Sequence, residues 1–200
     1  MGGEIEAYFG TLGAIGAKIE AGDRTQSLGL GDALAWCVGE CARVKRDDRR
    51  VFFLGNGGSA GIASHMAIDW TKNGGFNALA FNDGALLTCL ANDLGYERVF
   101  AIPLLRHARS GDLVFAISSS GRSPNILAAV EAAETRNASV VTLSGFAPDN
   151  PLRRRGAMNF YVPSDLYGFV EIAHLTVCHA ILDVLMGWSG SGSRPVYATN

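Results

Sequence analysis

The stretch VFFLGNGGSAGIASHMAIDWT, Val51–Thr71, decides the fold. Its first four residues are apolar in succession instead of alternating, the pattern of a strand covered on both faces. Gly55-Asn56-Gly57-Gly58-Ser59 then turns the chain, and the residues after the turn are spaced as a helix carrying His65 and Asp69. The same rhythm runs outward from there. Strands are expected at Val51–Gly55, Asn77–Asn82, Leu113–Ser118, Ser139–Ser144 and Asn159–Pro163, with helices over 59–72, 85–107 (interrupted near Asn92-Asp93-Leu94-Gly95), 123–136 and 168–187. Alternating strands and helices with right-handed crossovers imply an α/β fold: a five-stranded parallel sheet flanked by helices. Upstream, residues 3–46 show apolar side chains at helical spacing, from Ile5, Tyr8 and Phe9 to Cys41 and Val44, so two helices separated by AGDRTQ precede the sheet. Residues 1–188, with the N-terminal helices in 1–50, read as one domain. Residues 189–200, SGSGSRPVYATN, read as a flexible tail.

Two hundred residues give room for one core, and 48% apolar against 18% charged residues excludes a disordered chain. Seventeen basic and 19 acidic residues leave a formal charge of −2, no field for a polyanion, so nucleic acid is not an expected partner. Cys37, Cys41, Cys89 and Cys178 form no C-x-x-C pair, which fits a reduced, cytoplasmic protein. The start has no leader pattern and no segment reads as a membrane span, so no membrane partner is expected.

Open parallel sheets bind ligands beyond the carboxyl ends of their strands, and two loops there read as anion cradles. In the first, Gly55–Ser59, glycines let the backbone approach a ligand while the following helix start offers free N–H groups. Asn56, Gly57, Gly58 and Ser59 are the candidate contacts. A dinucleotide reading of this loop fails, since no acidic residue follows at the required distance; Asp83 is too far on. In the second loop, Ser118, Ser119 and Ser120 precede Gly121, and Ser123 stands at the N-cap of a helix with Pro124 at N1. Helix capping explains Ser123 but not three successive serines, so phosphate binding is the preferred reading.

His65 and Asp69 are four residues apart on one helix, and Glu171 and His179 are eight apart on the last one. Two imidazoles and two carboxylates match nitrogen and oxygen coordination of zinc, making His65, Asp69, Glu171 and His179 the candidate metal ligands.

The motifs VFFLGNGGSAGIASHMAIDWT, ANDLGYERVF, DLVFAISSSGRSPN and VEIAHLTVCHAIL, in that order, resemble the sugar isomerase (SIS) domain family, most closely the phosphoheptose isomerases. The resemblance implies a flavodoxin-like three-layer sandwich, a homotetramer and aldose–ketose isomerisation of a phosphosugar, sedoheptulose 7-phosphate, through an enediol. No organic cofactor is implied. It also implies that Asn92 and Asp93 touch sugar hydroxyls and that the zinc positions supply the acid–base pair, here among Asp69, Glu171 and His179. Two positions depart from the family: Asp69 stands where Glu is expected and Glu171 where Gln is expected. The base is therefore Asp69 or Glu171. A competing class is a non-catalytic SIS protein resembling the DnaA initiator-associating protein, against which the four retained metal-capable side chains argue.

Overall fold

A computed structural model describes residues 2–190. The chain opens with helix α1 (Gly2–Ile15), a hairpin of strands β1 (Glu20–Gly22) and β2 (Ser27–Leu28), and helix α2 (Leu30–Arg46). Strand β3 (Arg50–Leu54), helix α3 (Gly58–Lys72), strand β4 (Asn77–Ala80) and helices α4 (Gly84–Leu94) and α5 (Ala101–His107) follow. Strand β5 (Leu113–Ser118), helix α6 (Pro124–Thr135), strands β6 (Ser139–Ser144) and β7 (Met158–Tyr161) and helix α7 (Tyr167–Leu185) complete the unit.

The sheet order is β2-β1-β7-β6-β5-β3-β4. The five expected strands all form and run parallel, from β7 to β4. The sheet nevertheless has seven strands, not five, because AGDRTQ holds the end of β1 and a hairpin turn and is not a mere break between helices. Asp23 accepts hydrogen bonds from the backbone N–H groups of Thr25 (2.7 Å) and Gln26 (2.9 Å), which closes the turn. β1 then adds antiparallel to β7, with Ala21 opposite Phe160. Strands of three and two residues are too short to carry a readable alternation. The 85–107 segment breaks at Gly95 (φ 91°), while Asn92 and Asp93 complete the last turn of α4. Of the expected tail, only Ser189 and Gly190 lie within the described residues.

Every residue of β5 is buried, as its unbroken apolar run requires. One face of the sheet packs on α2, α3 and α7 through Phe53, Phe115, Met66, Trp70, Cys37 and Ile181, with the Phe53 and Phe115 rings stacked at 4.8 Å. The other face packs on α5 and α6 through Phe52, Leu54, Val114, Leu104 and Ile126. All four cysteines are free, and burial pushes the Cys178 thiol up to about 12, so it behaves as a core residue and not as a nucleophile. Helix α7 is long and apolar enough to cross a membrane by length and composition, yet it is the core helix of this layer, burying Phe169, Ala173, Val177, Cys178 and Leu182.

His174 is wholly buried in α7, where one ring nitrogen meets the Ser144 carbonyl at 3.0 Å and Nδ1 has no partner. Burial lowers its pKa from 6.5 to about 4. Below pH 6.5 the unfolded chain therefore binds a proton that the native chain refuses. The stability held above that pH is lost as pH falls toward 4, by about 1.4 kcal/mol per pH unit from this one group. Denaturant titrations at pH 6.5 and 4.5 should show a smaller difference in His174→Gln than in the parent chain.

Candidate active site

The carboxyl ends of β3 and β5 lie side by side, Leu54 opposite Ala116, and so bring the two anion loops together. Gly57 caps α3 at φ 55°, ψ −121°, a backbone conformation that favours glycine. The first amides of α3 have no acceptor within the helix and open toward the second loop. The Glu171 carboxylate from α7 comes against Gly58, where a Cβ would collide with both of its oxygens. Its charge complements the positive end of α3.

In the second loop Ser118 Oγ lies 3.0 Å from Ser123 Oγ and 3.5 Å from Ser120 Oγ. The Arg122 N–H donates to Ser120 Oγ at 3.3 Å. Ser123 does occupy the N-cap of α6, but its hydroxyl makes no capping bond and turns to Ser118 instead. The Ser119 hydroxyl is buried with no partner, a polar group left for a ligand to satisfy. Gly121 (φ 60°) permits this turn, and a Cβ there would strike the buried Asn150 amide.

Between the loops is a cavity of about 330 Å³ lined by Asn56, Gly57, Gly58, Ser59, Ser118, Ser119, Ser120, Ser123 and Glu171. All loop residues expected from the sequence thus share one cavity. Tyr167, the first residue of α7, also lines it and carries no spacing signal that sequence reasoning could use.

His65, Asp69 and His179 form a second cluster, with ligand atoms all within 4.8 Å of one another. His65 Nε2 is 3.4 Å from Asp69 Oδ2, and the His65 and His179 rings are 5.4 Å apart. Two ligands of one tetrahedral zinc with bonds of about 2.1 Å stand about 3.4 Å apart, so this donor set and spacing fit that ion. Three protein ligands would leave a fourth coordination position open. Glu171 is not in the cluster: it stands eight positions before His179, about 12 Å along the helix axis, and its carboxylate lies in the serine cavity. Asn92 and Asp93 are exposed on α4 and bonded to each other (2.8 Å), and neither lines the cavity.

The glycine turn and the serine turn stand at the ends of adjacent parallel strands, and the chain matches the SIS domain family over residues 14–145 and belongs to it. Within it the chain is a member of the phosphoheptose isomerase group. It is 33% identical to the phosphoheptose isomerase of Akkermansia muciniphila, covering 81% of this chain and 94% of that one. It is 30% identical to that of Methylococcus capsulatus, covering 90% and 93%. The structure of phosphoheptose isomerase GmhA from Neisseria gonorrhoeae superposes with a TM-score of 0.76 at 26% identity, covering 91% of this chain and 96% of that one.

Proposed function

We propose that this protein is a phosphosugar isomerase converting sedoheptulose 7-phosphate to D-glycero-D-manno-heptose 7-phosphate. The observation that carries the reading is a single cavity that joins both anion loops to Glu171, on the same helix as His179. The reaction moves one proton between C1 and C2 and another between their oxygens, through an enediol. The phosphate sits among the hydroxyls of Ser118, Ser119, Ser120 and Ser123 and the first amides of α3. Binding energy gained there orients the open-chain sugar at the reacting carbons. Glu171 or Asp69 takes the carbon-bound proton, and His179 moves the proton between the oxygens. Zinc held by His65, Asp69 and His179 would polarise the carbonyl oxygen. Glu171 lies against Gly58 at the phosphate end of the site, while Asp69 lies beside His65 and His179.

A single domain over 1–188 with a cytoplasmic location agrees with this reading. So does a homotetramer: α1 buries only Ile15, leaving Ile5 57% and Phe9 65% exposed, apolar surface that a second copy would cover. Light scattering at micromolar concentration should give four chains, and a monomer would refute the assembly.

The deciding experiment is an NMR assay of the purified protein on sedoheptulose 7-phosphate, with and without added zinc, where no turnover in either would refute the isomerase reading. Asp69→Glu divides the roles further. A faster enzyme would mean that the shorter carboxylate limits the base. A loss of metal together with activity would mean that the site is built around Asp69 as a ligand.

A further inference from the structure

Asn56 and Asn125 face one another as a reciprocal amide pair. Asn56 Nδ2 donates to Asn125 Oδ1 (2.9 Å), and Asn125 Nδ2 donates back to Asn56 Oδ1 (2.8 Å). The Tyr96 hydroxyl donates to that same Asn56 oxygen at 3.1 Å. Asn56 belongs to the glycine loop, Asn125 to the first turn of α6 behind the serine loop, and Tyr96 to the short 3₁₀ turn after α4. Segments 69 and 40 residues away from Asn56 thus meet on one side chain.

The strand ladder joining β3 to β5 pairs Leu54 with Ala116 and does not extend into the loops beyond. Among the described residues, the amide pair supplies the hydrogen bonds that run directly between the glycine loop and the serine loop with its helix start. Asn125 is 2% exposed, so its amide gains little from water and depends on Asn56 for its partners. Both lone pairs of the Asn56 oxygen are taken, one by Asn125 and one by Tyr96, and one of its two N–H bonds is spent. Such a group is poorly placed to read a sugar and well placed to hold a distance.

We propose that Asn125 and Tyr96 are positioning residues which, through Asn56, clamp the two anion loops at the separation a phosphate requires. Asn56 is then a brace first and a ligand contact second. The proposal rests on the phosphosugar reading of the cavity. Its physical basis is preorganisation: donors already spaced for the anion lose less freedom when it binds. Tyr96 ties the segment after α4 to the same brace, so that segment and the two loops are held as one body.

The test uses the full chain and two variants, Asn125→Ala and Tyr96→Phe, with calorimetric titration of inorganic phosphate and steady-state kinetics on sedoheptulose 7-phosphate. Asn125→Ala should weaken phosphate binding and raise KM by about tenfold, with kcat changed by less than about threefold, because the reacting groups on α3 and α7 are not moved. Tyr96→Phe should weaken phosphate by about threefold. The double variant should be no weaker than Asn125→Ala alone, since the hydroxyl acts only through the amide pair. Fully additive losses, or unchanged phosphate affinity in both variants, would overturn the proposal. If Asn125→Ala does not fold, Tyr96→Phe decides alone, because Tyr96 is 55% exposed and its hydroxyl can be removed without opening the core. A parent chain that binds phosphate with these dependences but leaves the sugar unchanged refutes the isomerase reading and keeps the brace. A parent chain that turns over the sugar, with KM and phosphate affinity unchanged in both variants, refutes the brace alone. A parent chain that neither binds phosphate nor turns over the sugar refutes both.

Discussion

His179→Gln lowers kcat on sedoheptulose 7-phosphate by about 10²- to 10⁴-fold, the range a positioned acid–base group contributes, while KM stays within about threefold of the parent value. The substitution keeps a planar polar side chain on the same face of α7 and removes the one property an amide lacks, the capacity to take up and return a proton near neutral pH. Since the His65 and His179 rings lie 5.4 Å apart in one cluster, the loss could arise from the metal as well as from the proton. Metal content measured on the same sample separates them. A variant that keeps its zinc and loses turnover identifies His179 as the proton carrier. One that loses both in proportion identifies it as a ligand, and unchanged kcat would remove His179 from the mechanism.

Ser120→Ala combined with Ser123→Ala raises KM by about two orders of magnitude, with kcat less affected. Hydrogen bonds to a charged phosphate contribute about 1.5–3 kcal/mol each, and two are lost together. Ser118 Oγ, which lies 3.0 Å from Ser123 Oγ, is also left without that neighbour and free to rotate away from the anion. The backbone should tolerate the change, because Ser123 makes no capping bond to α6 and Pro124 still starts the helix. Kinetics on the double variant, with inorganic phosphate as a competitive inhibitor, measure the effect on substrate and anion at once. An unchanged KM and inhibition constant would move the phosphate site elsewhere.

Several features of the site are legible in the sequence because local chemistry demands them. Consecutive apolar residues in VFFL and LVFAIS can be satisfied only by strands buried on both faces, which implies the parallel order and the functional end of the sheet. The anion loops are legible for the same reason: Gly57 has a positive φ, and serines at a buried strand end need partners. The hairpin β1–β2 is not legible, since five residues in two strands show no period, and it exists because β7 offers an open edge.

The sequence by itself determined the class of fold, the end of the sheet where chemistry occurs and the donor types gathered there, since each of these rests on residues close together in the chain. Only the tertiary structure decided how those donors divide. Spacing groups His65, Asp69, Glu171 and His179 as one set, but two turns of α7 carry Glu171 out of the imidazole cluster and into the serine cavity, against Gly58. It also decided that Asn92 and Asp93 stay on α4 outside the cavity, while Tyr167 lines it and Tyr96 and Asn125 bond to Asn56. Helical periodicity tells which face a side chain shares; how far along the axis it meets another element is set by the packing of α3 and α7 on the sheet, and that depends on the whole core.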